Sequence, residues 1–180
     1  MRTPEENSQE RQSSLLENIG VPTWPAYSAA VWALLFAAVS FYWALGGTAL
    51  LDTIGESVTG PALAGDPLVV AAVWISVFGK LAGVPGALAL TQRWGSLFPR
   101  WLVLLAGWGV TALLCLYGGA NLVQQLLMAA GVVEVSDTFR PVLMWHLFLW
   151  SPVWLIGGVL YGIATFYWTK TSRAPETAAR

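Results

Sequence analysis

Four long apolar stretches, separated by short polar segments, dominate the pattern of the chain. They cover residues 27–51, 68–90, 101–130 and 140–168. Each is at least as long as the ~20 residues that a helix needs to cross the hydrocarbon core of a bilayer. The pattern therefore predicts an all-α integral membrane protein, a bundle of four helices.

The polar segments at the two ends predict tails outside this bundle. Residues 1–22 are polar and acidic, which is typical of a disordered or loosely helical tail. We expect the transmembrane domain to cover residues 23–169 and a second short tail to cover residues 170–180. The acidic leader does not have the pattern of a cleaved signal peptide.

Composition supports the membrane class and argues against some kinds of partner and site. Hydrophobic residues make up 56% of the 180, charged residues 11%, and the mean hydropathy is +0.61, whereas about a quarter of a soluble domain is charged. A net charge of −1 without a basic cluster argues against a nucleic-acid partner. Cys115 is the only cysteine and His146 the only histidine, so we predict no disulfide and no metal site, and the sequence identifies no cofactor.

The distribution of basic residues predicts the orientation. Seven Lys and Arg residues flank the spans on the side of the two termini, and Arg140 alone lies on the other side. By the positive-inside rule, both termini are expected in the cytoplasm of a multi-pass plasma-membrane protein. Tryptophans near the predicted span ends support the boundaries but not the orientation; they are Trp24, Trp94, Trp101 and Trp168 on one side and Trp43 and Trp145 on the other.

A faint internal repeat raises the question of duplication. Residues 45–50 resemble residues 117–122, and Trp74 and Trp145 correspond at nearly the same offset. Both glycine pairs, Gly46-Gly47 and Gly118-Gly119, lie on spans of the same direction. The match is explained either by a duplicated helical hairpin or by chance similarity of apolar sequence.

Polar side chains inside the spans concentrate in the half that is predicted to face outward. Lys80 lies near the middle of the second span, and polar residues of the third span share one helical face. We predict an outward-facing cavity that binds or carries a small amphipathic or anionic ligand, such as a lipid. Its candidate ligand-binding residues are Lys80, Asn121, Gln124, Gln125, Trp43 and Trp150.

Lys80 is the most specific of these candidates, because it is an ionisable residue within an apolar span. A charge at the centre of a membrane helix costs at least ~2.5–3.5 kcal/mol, and no carboxylate lies at the same depth of any predicted span. The side chain must extend to water, lose its proton or hold an anionic ligand. The first explanation needs no function, and the last makes Lys80 a binding residue.

His146 and Tyr117 are the catalytic candidates. A helix that carries His146, Trp150 and Trp154 one turn apart presents them on one face, and histidine suits acid–base chemistry because it titrates near neutral pH. The structural alternative is a histidine that is bonded to a neighbouring glutamine or carbonyl. The polar ladder on the third span and the three glycine pairs are also explained by helix packing, since small and amide residues join membrane helices.

The segments 41–47, 117–119 and 149–155 (FYWALGG, YGG and LWSPVWL) resemble a known family. The chain is similar to small bacterial four-span membrane proteins that are catalogued as a domain of unknown function, over about residues 27–168. The resemblance implies a four-helix integral membrane protein and supplies no activity or site residues.

Three functions therefore stay open. The first is a binding or carrier module in the bilayer, which at this size we expect to form homo-oligomers. The second is a membrane-embedded enzyme that acts on a lipid or isoprenoid, with His146 as acid–base and Tyr117 or Lys80 assisting. The third is a structural subunit of a larger membrane complex.

Overall fold

A computed structural model describes residues 22–171. Residues 1–21 and 172–180, which make up most of the two predicted tails (1–22 and 170–180), lie outside the described residues. All regular secondary structure within the described range is helical, and four stretches are long and apolar enough to cross a membrane. The all-α four-span prediction is confirmed. The main helices are α1 (Trp24–Ala44), α2 (Glu56–Leu63), α3 (Pro67–Ala89), α4 (Arg100–Ala129) and α5 (Ser151–Thr171).

The four long helices form two hairpins. Helix α1 packs along α3, and α4 packs along α5. Contacts between α1 and α5 join the hairpins, whereas α3 and α4 hardly touch. The bundle is therefore open along one side, between α3 and α4.

Small residues let the helices approach closely at the remaining interfaces. A Cβ at Gly118 would lie 2.9 Å from Trp154 Cβ, and one at Gly158 would lie 2.5 Å from Cys115 Sγ. A Cβ at Gly157 would meet the ring of Trp32. Close packing of this kind holds membrane helices together, since lipid supplies no hydrophobic force between them. The packing explanation therefore holds for Gly118, Gly157 and Gly158, whereas a Cβ at Gly119 would meet nothing closer than 3.8 Å.

The first glycine pair has a different role, and the prediction that it lies within the first span is wrong. Helix α1 ends at Ala44, seven residues before the predicted end at Leu51. Gly46 adopts φ +88°, its N–H donates to Trp43 O, and the N–H of Gly47 donates to Tyr42 O. This is a Schellman cap, which favours glycine because the left-handed conformation disfavours other residues. Since Gly118-Gly119 lies inside α4, the glycine match that suggested a duplication is not a structural equivalence.

Two shorter elements lead into the site. The segment after α1 contains a 3₁₀ turn at Leu51–Thr53 and then α2, although the hydropathy pattern predicts only a loop between the first two spans. Before α5, the backbone is π-helical over His146–Trp150. Such a π-turn adds one residue to a helical turn and often lies at a functional site. Both elements lie at the same end of the bundle, which we call the α2 end.

Candidate functional site

Lys80 is held by neutral groups in the middle of the bundle. Its Nζ donates to Ser40 Oγ of α1 at 2.6 Å and to Ser76 Oγ, one turn earlier in α3, at 2.8 Å. The ammonium also lies 4.0 Å from the centroid of the Phe36 ring. No carboxylate of the described residues is among its partners. A protonated Lys80 thus has hydrogen-bond acceptors but no counter-charge among the described residues.

An aromatic cluster surrounds this charge. Phe36 is its centre, with ring centroids 5.3 Å from Trp32, 6.5 Å from Trp150 and 4.9 Å from Trp154. The Lys80 ammonium lies 5.6 Å from the Trp154 ring as well. Aromatic faces attract a cation through the ring quadrupole, by about 2 kcal/mol or more where water is excluded. The cluster therefore explains how a lysine is tolerated at this depth.

A large apolar cavity extends from Lys80 toward the end of the bundle that carries Pro22 and Thr171. Its volume is about 630 Å³. It fills the gap between α3 and α4, where Gly79 and Gly86 leave open space on one face of α3 and the Tyr161 hydroxyl packs against Gly83. We call it the chain cavity. Its other lining residues include Trp32, Ala82, Trp94, Phe98, Leu102, Ala106, Val110 and Tyr161.

A second cavity extends from Lys80 in the opposite direction, toward the α2 end. It has a volume of about 530 Å³ and is lined by Ser40, Ser76, Trp43 and Tyr117 as well as by Lys80. We call it the head cavity. It brings two of the predicted ligand-binding residues, Lys80 and Trp43, to one site. Trp150 lies directly behind it, with its ring 5.6 Å from that of Trp43.

The predicted amide residues lie elsewhere. Asn121, Gln124 and Gln125 line a third cavity of about 330 Å³ between α4, the start of α2 and the loop after α4. Lys80 does not line this cavity. The structure therefore divides the predicted binding residues between two separate places. We call this third cavity the amide pocket.

The two catalytic candidates are not placed together. Tyr117 lines the head cavity, and its ring packs 5.0 Å from that of Trp154. His146 lines neither cavity that contains Lys80. Its Nε2 is 2.7 Å from the carbonyl oxygen of Ile54, and its ring packs against Phe139. His146 thus has the structural arrangement, a bond to a backbone carbonyl, that was the alternative to acid–base chemistry.

Two side-chain contacts at the α2 end, which we call the latch, join the first loop to the last span. His146 contacts Ile54 O, and Trp150 Nε1 donates to Thr53 Oγ1 at 3.1 Å. Thr53 is buried, although it follows an exposed aspartate, Asp52. The π-turn contains both His146 and Trp150. The segment Leu51–Thr53 therefore packs into the α2 end of the bundle, where Leu51 lines the head cavity. We call this segment the plug.

Several residues of the site were not singled out from the sequence. The partners of Lys80, namely Ser76 and Phe36, lie on apolar helices without a distinguishing pattern. Ser76 had one usable signal, its spacing of four residues from Lys80, which places both side chains on one helical face. The glycine series in α3 had another, because residues at 79, 83 and 86 share a face.

Four apolar helices around an interior lysine define a multi-pass integral membrane protein. The family model described as "Protein of unknown function (DUF3995)" matches residues 33–161, and the chain belongs to this family. The match confirms the resemblance seen in the sequence and includes Lys80 with both of its serine partners. No curated protein and no solved structure matches the chain.

Proposed function

We propose that the protein binds an anionic amphiphile of the membrane, with the charged group at Lys80 and the hydrocarbon chain in the chain cavity. One observation carries the proposal: Lys80 lines both the chain cavity and the head cavity. An amphiphile has the same division into a charged and an apolar part. A carboxylate or phosphate at Lys80 and an acyl chain between α3 and α4 would match it.

The surroundings of Lys80 favour an anion over a neutral ligand. Ser40, Ser76 and Phe36 are uncharged, so the net charge at this position is +1 when the lysine is protonated. An uncompensated charge in the membrane interior costs ~2.5–3.5 kcal/mol or more. A ligand anion removes much of this cost through a charge-assisted hydrogen bond. The negative charge of the ligand therefore increases its affinity, because binding lowers the free-energy cost of the buried lysine charge.

The chain cavity suits an apolar chain in size and in access. Its volume of about 630 Å³ lies within the range of roughly 300–1,000 Å³ that is usual for small-molecule sites. Helices α3 and α4 make few contacts, and cavity residues such as Leu102 and Leu113 are exposed on the outside of the bundle. A lipid would enter sideways from the bilayer through this gap.

The rival functions have less support. An acid–base role needs His146 within reach of a bound substrate, yet its Nε2 is bonded to Ile54 O, outside the cavities of Lys80. A structural subunit that docks through glycine faces needs those faces to be free. Gly118 and Gly157 instead pack within the chain, against Trp154 and Trp32.

Native mass spectrometry with palmitate as the probe tests the proposal. The delipidated protein should retain palmitate but not its uncharged methyl ester. Lys80→Met should weaken palmitate binding roughly tenfold or more, because a hydrogen bond to a charged group contributes ~1.5–3 kcal/mol. Lys170→Met is the matched control, since Lys170 also lies over an aromatic ring, at 4.5 Å from Phe166. Equal retention by the Lys80 variant, or of the methyl ester, would contradict the proposal.

The orientation is part of the proposal. Cytoplasmic termini are supported by Arg93, Arg100 and Lys170, which are exposed at the end of the bundle opposite α2. The head cavity then opens toward the outside. Single cysteines on a Cys115→Ser background should react with an impermeant reagent at residues 57–65, and not at residues 93–98. The reverse labelling pattern would contradict this orientation.

The expected homo-oligomer stays a prediction from the sequence.

A further inference from the structure

We infer that the amide pocket is a second binding site, which takes a neutral polyhydroxylated group such as a sugar ring. This site is independent of the amphiphile site at Lys80, because Lys80 does not line the amide pocket and no residue of the pocket lines the chain cavity or the head cavity. Three observations support it: a buried amide with unused hydrogen-bonding capacity, the polarity of the lining and its charge.

The buried amide is that of Gln125. This residue is 3% exposed, and its Oε1 accepts a hydrogen bond from Ser151 Oγ at 2.8 Å. The second polar atom of the amide, Nε2, has no hydrogen-bond partner among the described residues. Among the described residues, only Thr165 Oγ1 is both fully buried and without a hydrogen-bond partner, so the Nε2 atom of Gln125 keeps some accessible surface. Because Gln125 lines the amide pocket, this N–H group is available to donate a hydrogen bond to a ligand there.

The lining of the pocket is mostly polar and adaptable. Seven of its ten lining residues carry polar side chains. Gln124 makes no side-chain hydrogen bond to another described residue, and the hydroxyls of Ser136 and Thr138 lie 3.2 Å apart. Amides and hydroxyls both donate and accept, as do the hydroxyl groups of a polyol. A ligand that offers several hydroxyls in a small volume therefore satisfies the lining best.

The charge of the lining argues against an ionic ligand at this site. Within the described residues 22–171, no Lys or Arg lines the pocket, and Glu56 is its only charged residue. A carboxylate repels an anion, so the pocket differs in kind from the Lys80 site. The Glu56 side chain is also directed along α2, since its Oε1 lies 2.8 Å from the position of a Cβ at Gly60. This direction does not favour a cation at the amides.

The size of the pocket fits one sugar ring. Its volume of about 330 Å³ corresponds to roughly eleven water molecules at ~30 Å³ each, which is enough space for a hexose, because bonded atoms pack closer together than separate water molecules. The ring could belong to a glycolipid headgroup or to a free sugar. Phe139 lines the pocket as well and offers an apolar face to the C–H groups of such a ring.

Thermal unfolding in nanodiscs tests the inference with defined probes. Monoglucosyl diacylglycerol should raise the unfolding midpoint by roughly 5 °C at saturation, while diacylglycerol with the same chains should not. Methyl β-glucoside added alone separates the two sources: a rise with it indicates a free sugar, and a rise with the glycolipid alone indicates a headgroup. Both results support the polyol site.

Matched variants locate the effect. Gln124→Leu with Thr138→Val should abolish the rise, since both exposed side chains line the pocket without packing in the core. Lys80→Met should preserve it, which separates this inference from the proposed function. Equal rises with all lipids, or no rise with either sugar, would overturn the inference. A rise with a choline-headed lipid that Glu56→Gln removes would overturn it in favour of a cation site.

Discussion

Lys80 of α3 donates a hydrogen bond to Ser40 of α1, with 2.6 Å between Nζ and Oγ. Ser40 is 2% exposed, so this bond lies within the packed interface of the first hairpin. It places the ammonium where the chain cavity and the head cavity meet. The bond thus fixes the position on which the proposed function depends.

Removing the serine hydroxyl should expose the cost of the buried charge. Ser40→Ala should destabilise the protein by about 1–3 kcal/mol, because a buried charged group loses a partner. In a Lys80→Met background the same substitution should cost less than about 0.5 kcal/mol, since no charge then needs the hydroxyl. Unfolding of the four proteins of this cycle in mild detergent measures the coupling. Equal costs in both backgrounds would show that Ser40 does not act through Lys80.

Two adjacent glycines of α4 should respond differently to the same substitution. A Cβ at Gly118 would lie 2.9 Å from Trp154 Cβ and 3.0 Å from the backbone nitrogen of Leu155, whereas one at Gly119 meets nothing closer than 3.8 Å. Gly118→Ala should therefore destabilise the protein by about 1–3 kcal/mol through overpacking. Gly119→Ala should be neutral within about 0.5 kcal/mol. Comparable losses in the two unfolding curves would be inconsistent with the described α4–α5 interface.

The latch at the α2 end should control the mobility of the plug above the head cavity. Trp150→Phe removes the indole N–H that donates to Thr53 while it keeps an aromatic ring. Amide hydrogen exchange in Leu51–Thr53 should accelerate roughly fivefold, as expected from the loss of ~1 kcal/mol of local stability. Trp145→Phe is the control, because Trp145 is exposed. Unchanged exchange in the Trp150 variant would show that the plug is held by other contacts.

The sequence predicts the spans well because the bilayer imposes their length. The second and third predicted spans differ from α3 and α4 by one residue at each end. The end of α1 was misplaced because the residues after Ala44 remain apolar, so hydropathy continues past the glycine cap. Backbone conformation, rather than hydropathy, ends that helix.

The site could be predicted only in part, since side-chain depth does not determine which helices are neighbours. Lys80 was found because a charge in an apolar span is conspicuous. Its grouping with Gln124 and Gln125 failed because α3 pairs with α1 and not with α4. The partners of His146 could not be found either, because the carbonyl of Ile54 comes from a loop whose fold the hydropathy pattern does not specify.

Photo-crosslinking with a palmitate analogue tests whether the chain cavity holds the hydrocarbon chain of a ligand whose charged group is at Lys80. The probe carries a diazirine near the end of its chain, and mass spectrometry maps the labelled peptides. We expect labels within the segments 82–89 and 102–110, which contain lining residues of the chain cavity. These labels should be strongly reduced in Lys80→Met and unchanged in Lys170→Met. Labels spread over the outer faces of all four helices and unchanged in Lys80→Met would contradict the proposal.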